Sequence, residues 1–264
     1  MVPVAPALAP YVASLVAYDV DLGAPGVHRG LPSTTITFVL PVGEPLDVGW
    51  RDQPGSRAAR WSTVSGLHAH PAEIHHDGHQ RGVQLGLTTA GARALLGLPA
   101  AELAGEMLEL TDVAPRLRDL PEQLAECAAE ERVGVVERAL TTELARHGAP
   151  EPRAEVGRAL AELTRGAGVQ QVADEVGYSR RHLTTLVRAE CGLTPKDIQR
   201  IGRFQSSRDL LGQARLAAVA HTCGYADQAH LTREWVALAG CTPTTWLREE
   251  FPFLQDLPAD DERG

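Results

Sequence analysis

Residues 172–193, VADEVGYSRRHLTTLVRAECGL, decide how the fold is read. The first half sets apolar Val172, Ala173 and Val176 among Asp174 and Glu175, a helical spacing. Gly177 then offers a position where a left-handed turn costs little. Ser179 follows as an N-cap candidate, and Leu183, Leu186 and Val187 resume an apolar stripe at i, i+3 and i+4. Helix, glycine turn, helix is the local grammar of a helix-turn-helix. The second helix would expose Arg180, Arg181, Thr184, Thr185 and Arg188, a positive, hydrogen-bonding face suited to the major groove of DNA.

The pattern occurs twice. Gly177-Tyr178 returns as Gly224-Tyr225 and Val172-Ala173 as Val219-Ala220, while Leu183 matches Leu231, Gly192 matches Gly240 and Thr194-Pro195 matches Thr242-Pro243. The offset is 47 residues before the turn and 48 after it, so the second copy holds one extra turn residue. Repeats of this kind imply two equivalent supersecondary units. Between them, residues 197–211 (DIQRIGRFQSSRDLL) read as a linker helix with Ile198, Ile201, Phe204 and Leu211 apolar. At ~1.5 Å per residue it spans ~22 Å. Such a spacer could set two recognition helices in successive major grooves, ~34 Å apart.

Two such units joined by a long helix resemble the DNA-binding domain of AraC/XylS-family transcription regulators, over residues 151–247. The resemblance rests on GYSRRHL…CGLTP in the first unit and GYADQAHLTREW…GCTP in the second. It implies a sequence-specific regulator rather than an enzyme, with recognition helices over 179–190 and 227–239. It turns Arg181, Thr184 and Thr185 of the first helix, and Gln228, Ala229, His230 and Arg233 of the second, toward base edges. Arg180, Arg188 and Thr232 fall nearer phosphate, where contacts position without reading sequence. Arg181 can take guanine O6 and N7 bidentately, and the threonines suit a thymine methyl or a base edge. The implied partners are double-stranded DNA, a small-molecule effector, a second copy of the chain and, for an activator, RNA polymerase. No cofactor is implied. The sequence departs from the family at Glu234-Trp235-Val236-Ala237, where basic residues usually follow the aromatic, and at Val187, where a phenylalanine is usual. A weaker backbone grip by the second unit follows.

Length and charge agree with this division. The 264 residues are enough for two ordinary domains. The net charge is −9, yet residues 153–248 carry 13 Lys+Arg against 9 Asp+Glu, and the tail over 249–264 is acidic. A basic segment flanked by acid fits a regulator with a separate non-DNA domain. The cysteines, Cys127, Cys191, Cys223 and Cys241, form no CxxC pair, which predicts reduced, mostly buried thiols. The N-terminal MVPVAPALAP has no basic n-region, and no apolar run reaches ~18 residues. The expectation is a soluble, cytoplasmic protein with no membrane partner. No nucleophile elbow, phosphate loop or zinc finger appears.

Ahead of the repeats, residues 11–20, 34–40, 48–50, 61–67 and 83–87 read as short strands between Gly, Pro, Asp and Ser turns, a small barrel or sandwich. The family's sensing domains are often cupin-like β-barrels that bind an effector, and this region is compatible with one. Residues 90–96, 100–103, 116–129, 132–147 and 151–165 read as helical. The pair over 116–147 would either pack two protomers together or lie as a lid on the barrel. The expected fold class is therefore α+β: a small β-rich, cupin-like sensing or dimerisation domain ending in helices (1–149), an all-α domain of two helix-turn-helix units joined by a linker helix (150–250), and an acidic tail (251–264).

Five histidines crowd one stretch: His68, His70, His75, His76 and His79. They raise a rival reading, a cupin-type metal-dependent enzyme or metal sensor. On a strand, His68 and His70 would share a face. Against it, no HxxxH or cysteine partner accompanies them, HHDGH spans a turn at Asp77-Gly78, and only Glu73 and His28 stand near as further ligands. The preferred reading is turn and surface histidines with no bound metal.

Overall fold

The structure, a computed structural model, describes residues 4–147 and 154–250. The boundary expected near 147–152 and the acidic tail both fall mainly outside the described residues. Strands β1 (Val12–Asp21), β2 (Gly26–Gly30), β3 (Ile36–Pro41), β4 (Leu46–Trp50), β5 (Ala58–Arg60), β6 (Thr63–Ser65), β7 (Ala72–His76), β8 (His79–Leu87) and β9 (Met107–Leu108) build two antiparallel sheets. One has the order β1-β8-β3-β6-β9, the other β2-β7-β4-β5.

The first sheet has two unlike faces, as strand alternation requires. Leu15, Ile36, Phe38, Leu40, Val83, Leu85 and Leu87 are buried in the main core. The alternate positions, among them Ser14, Val16, Thr37, Val39 and Gln84, turn the other way and line a cavity. Across that cavity stand Leu46, Val48, Ala72 and Ile74 of the second sheet. Register puts Gly86 between Ser14 and Thr37, and Gln84 between Val16 and Val39. The space between the sheets is thus walled by small and hydroxyl-bearing side chains on one side, and the long leucines face the helices.

Those helices begin at Thr88, whose hydroxyl accepts the Gly91 N–H at 2.9 Å and starts α1 (Thr89–Gly91). A π-helical turn, Ala92–Leu96, continues it to Gly97, at φ 73°. Next come α2 (Leu110–Val113), α3 (Leu120–Glu126) and α4 (Arg132–His147). The single helix expected over 116–129 is instead a 3-10 turn, Pro115–Leu117, followed by α3. Pro121 sits in the first turn of α3, where proline starts a helix rather than continuing one. Val136 and Leu140 of α4 join the main core, so this helix lies on the β domain.

The C-terminal part is all helical: α5 (Ala154–Thr164), α6 (Val169–Glu175), α7 (Arg180–Cys191), α8 (Pro195–Leu210), α9 (Leu216–Thr222), α10 (Gln228–Ala239) and α11 (Pro243–Glu250). Helix α8 is the expected linker, started by a Thr194–Asp197 capping box with Pro195 at its first position. A side chain at Gly202 of α8 would fall on the Thr164 carbonyl of α5, so only glycine lets these two helices meet. The first unit shares one continuous core with the β domain, running from Leu15 and Leu95 through Leu163 and Val172 to Leu183, Val187 and Ile198. The second has a core of its own around Phe204, Leu231, Trp235 and Trp246. Packing therefore does not break where charge and composition change. All four cysteines are thiols, three of them buried and Cys127 half-buried. Among the described residues no helix is long and apolar enough to cross a membrane.

Candidate nucleic-acid interface

The two units are built by the same local chemistry. After α6, Gly177 takes φ 73°, and the Tyr178 N–H reaches back to the Ala173 carbonyl at 2.8 Å. Gly224 also takes φ 73°, and the Tyr225 N–H reaches the Ala220 carbonyl at 2.9 Å. Ser179 caps α7 by accepting the His182 N–H at 3.2 Å, and Asp227 caps α10 by accepting the His230 N–H at 2.6 Å. Both helices end on a left-handed glycine, Gly192 and Gly240. The expected spans of 179–190 and 227–239 differ from α7 and α10 by a residue or less at each end.

Burial then separates the faces. On α7, Leu183, Val187, Glu190 and Cys191 are buried. Arg181, Thr185, Arg188 and Ala189, at i, i+4, i+7 and i+8, form the exposed stripe, and Arg180 is exposed at the first turn. On α10, Leu231, Trp235, Leu238 and Ala239 are buried. Ala229, Arg233, Val236 and Ala237 occupy the same exposed register 48 residues on. Among the described residues, Arg181, Arg188 and Arg233 make no ion pair, which leaves their guanidinium groups available to a polyanion.

Other residues of the expected set sit differently. Thr184 and Thr232 are half-buried on the flanks, while Gln228 is exposed at the start of α10. The hydroxyls of Thr184, Thr185 and Thr232 donate to the carbonyls of Arg180, Arg181 and Gln228, at 2.8, 3.1 and 2.9 Å. That back-bonding occupies the hydroxyl hydrogens within the helix. His230 is engaged by its own turn: its Nδ1 accepts the Ala226 N–H at 3.2 Å, and its ring stands edge-on to Tyr225 at 5.4 Å. His182 meets Tyr178 in the same way at 4.7 Å. This paired Tyr–His contact was written in the sequence at matching positions of both repeats, and spacing alone did not single it out.

Glu234, an acid on the second recognition helix, is neutralised by Arg200 of α8 at 2.8 Å. Arg203 of the same helix lies over the Tyr225 ring at 5.3 Å. The buried face of α7 is held by the β domain. Glu190 takes a bidentate contact from Arg93, with Nε at 2.9 Å and the terminal nitrogen at 2.7 Å. Further bonds cross between the two parts: Arg51 to the Gly240 carbonyl at 2.8 Å, Arg29 to Glu249 at 3.2 Å, and Thr34 to Gln205 at 3.1 Å. Each joins residues more than 150 positions apart, beyond the reach of any local pattern.

The cavity between the sheets measures about 310 Å³. Its walls include Ser14, Tyr18, Thr37 and Thr63, and it is closed on one side by Gln205 and Arg208 of α8. The Thr63 hydroxyl is buried there with no hydrogen-bond partner. A buried polar group in that state costs about 1–3 kcal/mol, which a polar guest would recover.

The histidines do not gather into a ligand set. His68 and His70 lie in the loop after β6 rather than on a strand, so they share no strand face. Trp50 packs against both rings at 4.6 Å. His68 is buried, contrary to the surface position expected for it, and its Nδ1 bonds the His70 carbonyl at 2.6 Å. His75 and His76 belong to β7 and His79 starts β8, with the expected turn at Asp77-Gly78 between them. Among the described residues no three His, Cys, Asp or Glu side chains could hold a metal ion together.

Burial gives two of these rings a measurable consequence. It lowers His28 to about 4, with His76 adding to the effect, and lowers His68 to about 4 against the opposing bond to the His70 carbonyl. Both rings are neutral in the fold, whereas the unfolded chain binds protons there below about pH 6.5. Stability is therefore lost as pH falls from about 6.5 toward 4. We expect a loss of ~2–3 kcal/mol between pH 7 and pH 5.5 for the two rings together, read from urea midpoints. Equal midpoints would mean that neither ring is desolvated.

The helix-turn-helix domain family matches residues 154–249. No curated protein matches the chain in sequence. ToxT from Vibrio cholerae is similar in structure, with a TM-score of 0.53 and 10% identity over 89% of this chain and 98% of that one. So is wild-type ToxT of V. cholerae strain SCE256 bound to an unsaturated fatty acid, with a TM-score of 0.51 and 10% identity over 89% of this chain and 95% of that one. The DNA-binding domain of AdpA, solved with a target DNA, is 24% identical and covers 38% of this chain and 96% of that one, with a TM-score of 0.32. At these identities the ToxT likeness is one of fold: a β domain carrying a pair of helical units.

Proposed function

Residues 154–249 are a helix-turn-helix domain of the AraC/XylS type, and we propose on that premise that the chain is a sequence-specific transcription regulator answering to a small molecule held by its β domain. The observation that carries the reading is the doubled stripe. Two helices, each entered by a glycine turn, capped by its first side chain and ended by a left-handed glycine, expose the same four positions, and among the described residues the arginines on them make no ion pair.

In this account Thr185 and Arg233 read base edges from the middle of the stripes, Arg181 enters at the N-terminal turn of α7 and Gln228 and Ala229 at that of α10, and Thr184 meets a base edge from the flank. His230 orders the turn that presents them. Arg180, Arg188 and Thr232 bear on the phosphates. The effector space is the cavity of about 310 Å³. A guest there would touch Gln205 and Arg208 on α8, the helix that fixes the spacing of the two units. One of the fold neighbours was solved with a fatty acid; this cavity, lined with hydroxyls, suits a smaller and more polar molecule.

The test is a salt titration of the full chain on its own selected sites. Affinity should fall steeply with salt, with a log–log slope of about −4 for roughly four to five neutralised phosphates. Salt-independent binding, or equal binding to selected and scrambled DNA, would refute the reading.

A further inference from the structure

The exposed stripes of α7 and α10 share a register but not a chemistry. On α7 they present Arg181, Thr185, Arg188 and Ala189; on α10 they present Ala229, Arg233, Val236 and Ala237. One unit offers two cations. The other offers a single cation set among three apolar side chains. Val236 is 47% exposed and occupies the place of Arg188. Around it the helix is well ordered by other means: Glu234 is held by Arg200, Trp235 is buried, and the Gly240 N–H closes the helix on the Val236 carbonyl. Nothing in the fold requires an aliphatic side chain at this point, and the core is formed entirely on the opposite face.

We infer that α10 reads its half-site through thymine methyl groups, with Ala229 and Val236 meeting methyls on either side of the base pair contacted by Arg233. This rests on the reading of the chain as a DNA-binding regulator and adds the base chemistry of one half-site. The thymine C5-methyl is the only apolar group that a base edge shows in the major groove, and alanine-sized or branched side chains match it. Arg233 stands one helical turn from each, at i+4 from Ala229 and i−3 from Val236, so all three share one strip of groove. The two half-sites then differ in kind. The one under α7 depends on guanine and phosphate. The one under α10 depends on thymines and responds less to salt, since Val236 cannot neutralise a phosphate.

Deoxyuridine in place of thymine removes the methyl and nothing else. The full chain is titrated by anisotropy on its selected site and on versions carrying uracil at single thymines, with the α10 half-site identified as the one whose preference changes in Arg233→Ala. Uracil should weaken binding about fourfold at each of two thymines there, the equivalent of ~0.8 kcal/mol for one buried methyl. In Val236→Ala, an exposed helical change that keeps the fold and removes the two methyls that reach furthest from the helix, sensitivity at one of these thymines should fall and the other should persist, the coupling expected of a direct contact. Val236→Arg should abolish the same sensitivity and steepen the salt slope by about 0.9. A wild-type protein indifferent to uracil across that half-site overturns the inference, as does a response unchanged in Val236→Ala. If the full chain shows no sequence preference at all, the regulator reading itself has failed.

Discussion

Replacing Trp235 with alanine is expected to remove ~3–5 kcal/mol of stability, the largest loss from any single truncation in the DNA-binding part. Trp235 is completely buried, with its ring 4.6 Å from Phe204 of the linker helix and 5.4 Å from Trp246 of α11. Its indole N–H donates to the Ser207 hydroxyl at 2.9 Å, and that hydroxyl donates to the Phe204 carbonyl at 2.8 Å. The truncation thus opens a cavity and strands a buried hydroxyl acceptor together. The same repeat position in the first unit is Val187, a smaller side chain that suffices because the β domain completes its core. Urea denaturation reads the loss, and binding to selected DNA should collapse with it. A change below 1 kcal/mol would mean that the second unit does not depend on this aromatic cluster.

The second large effect concerns Glu190. Its carboxylate is buried on α7 and takes both guanidinium contacts from Arg93, which follows α1 in the β domain. Breaking a buried pair from one side leaves the other charge uncompensated, at about 3–5 kcal/mol when both are fully buried. The Arg93 side chain is 30% exposed and regains some solvent, so Glu190→Ala should cost ~2–3 kcal/mol. Arg93→Ala strands the more deeply buried Glu190 carboxylate and should cost more, ~3–4 kcal/mol, and the double variant much less than the sum. Additive losses would show that the two groups do not act as a pair. Because the pair joins the first recognition helix to the β domain, both variants should also bind DNA with a weaker response to whatever occupies the cavity.

The helical units were legible because their determinants are local. Gly177 and Gly224 need a left-handed φ, Ser179 and Asp227 cap within three residues, and the repeat sets each beside its twin. The β domain was legible where apolar and β-branched runs stand between turn residues, as in β1, β3, β4, β6 and β8. The short strands β2, β5 and β9 carry no alternation long enough to register. β7 is written AEIHH, and its histidines drew attention to metal chemistry rather than to a strand. His68 and His70, read as turn and surface residues, do lie in a loop, but Trp50 packs on both rings and His68 is buried, which no local pattern reveals. The cavity, the Arg93–Glu190 pair and the contacts of Arg29 and Arg51 depend on pairings across the whole chain. The exposed stripes were half visible. Arg181, Thr185 and Arg233 follow from the family resemblance and the repeat, but the back-bonded threonine hydroxyls and the turn-bound His230 follow only from coordinates.

The claim at the centre is that two equivalent helices read two stretches of one DNA face, and the most direct test is a comparison of binding-site logos. Sites selected by the full chain are compared with those selected by Arg181→Ala and by Arg233→Ala, both exposed substitutions that leave the cores untouched. Each variant should lose preference at one guanine, at a cost of ~1–3 kcal/mol on the original site. The two affected positions should lie about 10 base pairs apart, one turn of the duplex. Logos identical to that of the unaltered protein, or both changes falling at the same base pair, would contradict the two-helix account.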